Sequence, residues 1–366
     1  MMAPMRKRVM LLVETFSMPS AQSAAVQYRD CFRDAGYDAI YVARDEPQGF
    51  ESVDRLANLA WRARMHRRSR AMKADIQKRW DDRIVAIAAE CDVVYAAKVA
   101  SLELHQRIQA LKKPRLLVLF ADALWLPFAR GRGWQDVDAI LSIADGIVTV
   151  NEMTANYARQ KNERVFIVND SPQTEEFDKV RERYGKDPSR TVLGWIGSPF
   201  TATSLFKIWE PLERLFAEDA SLHLRLVGTG SATLLNVPRF EKVRWSAVEQ
   251  YDQATMIREA LAMDIGLFPL FSGEDALARG AHKAAIYMSG EAAVAAQRYG
   301  EAAEVIEDGV TGMLCATDEE WYEKLAFLIR NADERRAMAK RGLAMVRERF
   351  SRARTFEQLR AAIESV

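Results

Sequence analysis

Short apolar runs alternate with helical stretches along most of this chain, and this alternation restricts the possible folds more than any other feature. The runs are continuously apolar, as expected for strands that are buried on both faces of a parallel sheet. Helical stretches lie between them, such as Ala21–Ala35, which Gly36 ends. Alternating strands and helices predict a doubly wound α/β fold. The strands predicted in the first half are Arg8–Val13, Asp38–Ala43, Asp92–Ala96, Arg115–Phe120, Gly146–Val150 and Val165–Val168.

The same pattern begins a second time after a polar segment, Ser171–Arg190, which we interpret as a linker. Because 366 residues exceed one ordinary core, two domains are expected. We predict Rossmann-like domains at 1–175 and 190–350 that face a cleft, with C-terminal helices closing the molecule and 351–366 packing back on the first domain. Further strands are predicted at Thr191–Gly197, His223–Gly228, Val243–Ser246, Ile265–Leu270 and Ala293–Gln297, and helices at Leu205–Ala217, Val248–Ala262, Lys283–Ser289 and most of Glu319–Val366.

Composition excludes several classes of function. The net charge is near +1, so no overall field attracts nucleic acid. Cys31, Cys91 and Cys315 are widely spaced and form neither a disulfide framework nor a metal motif, and the four histidines are scattered. No apolar stretch reaches the roughly 18 residues of a membrane span. We therefore expect a cytoplasmic protein that needs no metal or cofactor.

Two motifs of the second half favour phosphate binding. The segment Gly194–Pro199 ends a predicted strand, where Gly197 allows close backbone approach and Ser198 offers a hydroxyl. A tight turn explains the same residues. Arg279 and Lys283 are four residues apart and share one helix face, which suits a diphosphate that gains charge as it leaves. A solvated basic helix start is the alternative.

A carboxylate follows the next predicted strand. Glu304 comes after Ala293–Gln297 and before the glycine turn at Asp308–Gly312. Two carboxylate oxygens match the two hydroxyl donors of a ribose. An exposed glutamate favoured by a helix dipole is the simpler reading.

These motifs occur together in an order that resembles a known family. The segments GWIGSP, LRLVGTG, DIGLFPL, RGAHKAAIYMSGEAAVAA and YGEAAEVIEDGVTGML are similar to the nucleotide-sugar domain of GT-B glycosyltransferases, in particular the retaining family 4. In the first half, DVVYAAK, FADALW and DGIVTVN resemble segments of the acceptor domain more loosely.

The resemblance implies a sugar transfer from a nucleotide-diphosphate sugar to a glycan, glycolipid or small-molecule acceptor, with retention. It implies that Glu304 holds the ribose, that Lys283 and Arg279 face the diphosphate, and that Gly197 and Ser198 line the phosphate loop. The base is expected near Val243–Trp245. Retaining enzymes of this fold use the leaving phosphate as the proton acceptor, so positioning and charge stabilisation dominate.

Three features set this chain apart from the family. Ala278 and Ile286 stand where the family carries paired glutamates, and Glu14–Pro19 replaces its first glycine-rich loop. Lys207 is the nearest cation after the phosphate loop, where the family carries an arginine and a lysine.

Two further residues are candidates beside the reacting groups. Asp122 is the candidate on the acceptor side, as an orienting carboxylate or base, with a helix cap as the structural alternative. His282 lies beside Lys283 and is a candidate to face the sugar.

A basic run from Arg62 to Arg83 carries apolar residues at roughly helical spacing, including Trp61 and Trp80. Such a helix suits peripheral contact of 61–83 with an anionic membrane. Packing of its apolar stripe on the first domain is the alternative, and RNA-stacking motifs are missing.

Two rival functions stay open at this stage. A nucleotide-sugar epimerase would need an acid–base pair facing the sugar in place of an acceptor site. A non-catalytic GT-B-like binding protein is suggested by Ala278 and Ile286.

Overall fold

The computed structural model describes residues 6–16, 19–45, 70–230 and 242–366. The chain divides into two units, each built on its own parallel sheet. Unit 1 comprises Met1–Asp170 with Thr355–Val366, and unit 2 comprises Ser171–Arg354.

Unit 1 has a six-stranded sheet of order β2-β1-β3-β4-β5-β6, with every described pair parallel. Its four inner strands are fully or largely buried, which explains why their sequences are continuously apolar, whereas the two edge strands are partly buried. The strands are β1 (Arg8–Val13), β2 (Asp38–Ala43), β3 (Val93–Ala97), β4 (Arg115–Phe120), β5 (Gly146–Thr149) and β6 (Val165–Ile167). The helices are α1 (Pro19–Ala24), α2 (Arg29–Asp34), α3 (Arg70–Ala88), α4 (Leu102–Gln109), α5 (Pro127–Ala129), α6 (Val137–Ile143) and α7 (Glu152–Arg159), with a 3₁₀ turn at Val26–Tyr28 and a π turn at Arg130–Trp134.

Unit 2 has a second parallel sheet of order β12-β11-β10-β7-β8-β9. The strands are β7 (Thr191–Ile196), β8 (Leu222–Val227), β9 (Trp245–Val248), β10 (Ile265–Phe268), β11 (Ala293–Gln297) and β12 (Met313–Cys315). The helices are α8 (Thr174–Asp178), α9 (Pro199–Ala202), α10 (Trp209–Glu218), α11 (Gln253–Leu261), α12 (Glu274–Leu277), α13 (His282–Ser289), α14 (Glu301–Val305), α15 (Asp318–Arg330) and α16 (Ala332–Arg349), with 3₁₀ turns at Arg181–Arg183 and Thr203–Ile208. The predicted doubly wound α/β fold is confirmed.

The last helix, α17 (Arg352–Glu364), contributes its side chains from Thr355 onward to unit 1. Phe356 packs edge to face on Phe32, with ring centroids 5.0 Å apart. The hydroxyl of Tyr28 donates to Thr355 Oγ1 at 2.9 Å inside this core. The chain end is therefore held to unit 1 by both apolar and polar contacts.

The strand order of unit 2 reverses between β7 and β10, and one tyrosine holds that point together. These strands pair only at Leu193–Ile265 and Gly194–Gly266. Beyond that, the buried hydroxyl of Tyr287 on α13 accepts the Ile196 N–H at 2.8 Å and donates to the Leu267 carbonyl at 3.2 Å. Tyr287 thus satisfies backbone groups where the strands separate and fixes α13 beside the opening.

Among the predicted segments that differ from the structure, two differ most clearly. Part of the predicted linker is ordered, because Phe177 of α8 is fully buried in the core of unit 2. The predicted helix Ala21–Ala35 is broken into α1, a 3₁₀ turn and α2. A single apolar side chain in a polar segment was too weak a signal to predict the packing of Phe177. A run rich in small residues was too weak a signal to predict where the helix Ala21–Ala35 breaks.

Candidate functional site

Three loops at the carboxyl ends of the unit 2 strands form the candidate site. Gly197 and Ser198 follow β7, Gly228–Gly230 follows β8, and Gly300 follows β11. Ligands of doubly wound sheets bind at this edge, where the strand order reverses. The first two loops touch: a Cβ added to Gly228, whose φ is +85°, would lie 2.1 Å from the Gly197 carbonyl oxygen. Glycine is therefore required at 228 by both backbone angle and space.

Lys283 lies directly against the first of these loops. Its Nζ donates to Thr201 Oγ1 at 3.2 Å and lies 4.8 Å from the centre of the Trp195 ring. A Cβ on Gly197 would lie 2.7 Å from this nitrogen. The structure therefore brings together Gly197, Ser198 and Lys283, which the sequence places far apart.

The electrostatics of Lys283 suit an anion. Burial, and then the nearby positive charge of Arg279, lower the pKa of its amine to about 7. The amine is thus only partly protonated at neutral pH, and an anion placed beside it would favour the charged form. Arg279 is half-buried in the loop between α12 and α13, so it does not share a helix face with Lys283 as predicted, but its charge acts on the amine.

Three buried polar atoms at this edge have no hydrogen-bond partner among the described residues. They are Trp195 Nε1, Thr229 Oγ1 and His282 Nδ1. Buried polar groups in native proteins almost always have a partner. A ligand or water bound at these loops would supply the missing hydrogen bonds.

Two glutamates of α14 have different surroundings. Glu304 is exposed on the first turn of this helix. Glu301 is buried, and its carboxylate accepts the Ala281 N–H at 2.6 Å, at the start of α13. Sequence reasoning missed Glu301, although it follows Gly300 at a strand end and that position was the available signal.

The structure also places Trp245, which was predicted near the base, and Lys207, the nearest cation after the phosphate loop. Trp245 begins β9 and pairs in register with Leu224, so it lies about 10 Å before the carboxyl end of its strand. The ring of Tyr251 lies closer to the loops, 2.5 Å from a Cβ built on Gly228. Lys207 reaches the end of β10, where its Nζ donates to the Leu270 carbonyl at 3.0 Å.

In unit 1, Asp122 follows β4 and is paired with a lysine. Lys98 Nζ, which follows β3, donates to Asp122 Oδ2 at 2.6 Å. Both residues have positive φ, 58° and 69°, a conformation uncommon for residues with a side chain. Such positions cluster at functional sites, and these two lie at the carboxyl edge of the sheet.

The positions that carry glutamates in the resembling family are apolar here and closed to solvent. Ala278 is fully buried and Ile286 is 5% exposed. Neither side chain offers a polar group to a ligand.

A cavity of about 660 Å³ opens at the opposite, amino-terminal edge of the unit 2 sheet. Two cations that line it already have protein partners: Lys186 donates to the carbonyls of Met263 and Glu291, and the buried Arg335 donates to that of Leu328. We assign these charges a structural role.

Part of the basic segment is described. Residues 61–69 lie outside the described residues, whereas Trp80 of α3 is 6% exposed and donates to the Ala43 carbonyl at 3.0 Å. The described part of the stripe therefore packs on unit 1 at Trp80.

The described ranges contain neither a candidate metal centre nor a candidate membrane span. Residues 6–16, 19–45, 70–230 and 242–366 contain no group of three or more metal-binding side chains. Within the same ranges, none of the helices has the length and apolar character needed to cross a membrane.

Comparison with known proteins identifies the fold. No protein-family model and no curated protein matches the sequence. Among solved structures, Anabaena Alr3699/HepE in complex with UDP and glucose is 14% identical over 98% of this chain and 100% of its own, with a TM-score of 0.67. A glycosyltransferase from Rickettsia africae is 12% identical over 98% of both chains, with a TM-score of 0.70. Sucrose-phosphate synthase from Thermosynechococcus elongatus is 12% identical over 98% and 99%, with a TM-score of 0.68. These neighbours are GT-B glycosyltransferases, and the chain has their α/β fold of two Rossmann-like units.

Proposed function

We propose that this protein is a glycosyltransferase that uses a nucleoside-diphosphate sugar as donor. One observation carries the proposal: Lys283 lies against the Gly197 loop at the point where the unit 2 sheet reverses its strand order. Doubly wound sheets bind nucleotides there. The likeness to Anabaena HepE, which was crystallised with UDP and with UDP-glucose, supports the same donor class.

In this proposal each candidate site residue of unit 2 contacts a defined part of the donor. Lys283 and Arg279 neutralise the diphosphate, and their contribution grows as charge develops on the leaving group. The backbone at Gly197 and Ser198 approaches the phosphates, and Glu304 accepts the ribose hydroxyls. His282 offers a ring nitrogen to the sugar.

The base binds on the side of the sheet formed by β8 and β9. Trp245 is the aromatic residue predicted there from the sequence, and Tyr251 lies nearer to the glycine loops.

The acceptor is assigned to unit 1, with Asp122 as an orienting carboxylate. The acceptor class we propose is a glycan or a glycolipid. Membership of family 4 and retention of configuration, with the leaving phosphate as proton acceptor, are part of the proposal and rest on the motif order alone.

We also propose a cytoplasmic location with peripheral contact of 61–83 with anionic membranes. The contact is tested by sedimentation with vesicles that contain phosphatidylserine. Replacing Arg67, Arg68 and Arg70 together with glutamate should release the protein into the supernatant. A wild-type protein that stays in solution would refute the membrane contact.

The function itself is tested with a panel of UDP, GDP, ADP and their common sugars. A ligand that binds only the folded state raises the melting temperature. We expect a selective rise with one nucleoside diphosphate and release of that diphosphate from its sugar on incubation. If none of the panel raises the melting temperature, the donor site does not exist.

A non-catalytic nucleotide-sugar binder is the second candidate. It is favoured by the apolar burial of Ala278 and Ile286. Turnover separates the two, since a binder gives the melting-temperature rise but does not release nucleoside diphosphate from the sugar with any acceptor.

A further inference from the structure

The sheet of unit 1 has its own switch point, and Glu14 stands at it. The order β2-β1-β3-β4 places the reversal between β1 and β3. Glu14 directly follows β1, in the segment that replaces the glycine-rich loop of the resembling family. Ligands of doubly wound sheets bind outside the strands at such a reversal.

The cation beside Glu14 is already neutralised by another residue. Arg44, after β2, donates from Nε and Nη2 to the two oxygens of Asp81 at 3.2 and 3.1 Å. Its remaining contact, from Nη1 to Glu14 Oε1, is longer at 3.4 Å. Arg44 therefore neutralises Asp81 more than it neutralises Glu14. When Arg44, Asp81 and Glu14 are all ionised, their charges sum to −1.

The other oxygen of this carboxylate is unused. Glu14 Oε2 is buried and has no hydrogen-bond partner among the described residues. A buried carboxylate oxygen without a donor is costly, because it has lost water and gained nothing in exchange. A ligand that donates a hydrogen bond would complete it.

Charge decides the kind of ligand. Among the described residues at this edge, the cations Arg44 and Lys98 are each paired with an aspartate. Adding a phosphate or carboxylate near Glu14 would place like charges together. Hydroxyl groups donate hydrogen bonds and carry no charge, so they fit the unpaired oxygen.

The groups around Glu14 also define its protonation. Burial raises the pKa of Glu14, the charge of Asp81 raises it further, and Arg44 opposes both. His105 of α4 is also within reach of the Arg44 charge, and burial lowers the pKa of its ring, so it stays neutral. The Glu14 carboxylate therefore protonates at a higher pH than an exposed glutamate.

We propose that Glu14 binds a hydroxyl of an uncharged sugar acceptor through Oε2, and that unit 1 selects neutral acceptors over phosphorylated ones. This inference rests on the proposed glycosyltransferase function and names the acceptor class of that reaction. Glu14 acts here as a hydrogen-bond acceptor that orients the hydroxyl, and the proton passes elsewhere.

The test measures, by calorimetry, the binding of methyl glycosides of glucose, galactose and mannose. Glucose 6-phosphate is the charged comparison. We expect at least one methyl glycoside to bind more tightly than glucose 6-phosphate. E14Q should weaken that binding about 10- to 100-fold, as expected for a hydrogen bond to a charged group. E163Q is the matched control, because Glu163 is exposed before β6 at the other edge of the sheet, and it should bind as wild type.

A second measurement needs no variant. Binding of the methyl glycoside to the wild-type protein should weaken as the pH falls through the raised pKa of Glu14. No glycoside binding, tighter binding of glucose 6-phosphate, or unchanged binding by folded E14Q would each overturn the inference. UDP-glucose binding, measured in parallel, reports on unit 2 alone, so its loss would count against the proposed function and not against Glu14.

Discussion

Replacing Lys283 by methionine tests whether the lowered pKa of this amine belongs to a donor site. With a pKa of about 7, set by burial and then by Arg279, the amine loses most of its charge between pH 6 and pH 8. Its protonated fraction falls from about nine-tenths to about one-tenth over this range. If the charged amine binds the diphosphate, affinity of the wild-type protein should fall about tenfold, or ~1.4 kcal/mol, from pH 6 to pH 8.

The assay is titration calorimetry with UDP-glucose at pH 6, 7 and 8, because its doubly esterified diphosphate keeps the same charge throughout. K283M should bind about 10- to 100-fold more weakly at pH 6, and its affinity should no longer depend on pH. The matched control is K242M, since Lys242 is exposed and pairs with Glu213 at 3.5 Å on the surface. The control should retain both the affinity and its pH dependence.

As the pH rises, the free energy of unfolding of the unliganded protein should increase, whereas the affinity for the diphosphate falls. The folded-state pKa of Lys283 lies below its ordinary value of 10.5, so the folded state binds fewer protons than the unfolded state between pH 7 and 10.5. The penalty is present in full below pH 7, and it disappears as the pH rises through that window. K283M should therefore have a higher melting temperature than wild type at pH 6, and its free energy of unfolding should be higher by up to about 5 kcal/mol, at about 1.4 kcal/mol per unit of pKa shift. A variant with a lower melting temperature and unchanged affinity would refute the reasoning.

Three other substitutions have defined outcomes. G197A places a Cβ 2.4 Å from the Trp195 ring, so it should lower the free energy of unfolding by about 1–3 kcal/mol. It should also weaken UDP-glucose binding in calorimetry. The control G185A, whose added Cβ has no atom within 4 Å, should change neither quantity. Y287F leaves the Ile196 N–H buried without its acceptor and should lower the unfolding free energy by about 1–3 kcal/mol in urea titrations; no loss would contradict the proposed role of the hydroxyl. E304A should weaken nucleotide binding about 10-fold or more without changing the melting temperature, because Glu304 is exposed, and unchanged affinity would remove the ribose assignment.

The two sheets were predictable because a strand buried on both faces must be apolar throughout. Runs such as Arg8–Val13 and Arg115–Phe120 have the predicted bounds. The segment around Phe177 was not predictable, because one buried side chain supplies the contact and its neighbours are polar. Local composition therefore identified strands but not every packed connection.

The part of the candidate site that lies at the carboxyl ends of the strands could be predicted from the sequence. Gly197 and Lys283 were identified because each follows a strand of one sheet, and parallel strands end at a common edge. The difference between Glu301 and Glu304 was not predictable, since both lie on one short helix and only its orientation decides which carboxylate is buried. Glu14 was seen only as a departure from a family pattern, because the position of Asp81 against Arg44 depends on the folded structure.

The measurement that tests the central claim most directly is a crystal structure of the protein with the nucleoside diphosphate selected by the thermal panel. The proposal predicts diphosphate oxygens within hydrogen-bond distance of Lys283 Nζ and beside the Gly197–Ser198 backbone. A diphosphate bound away from these residues, with the Lys283 amine still against Thr201, would contradict it.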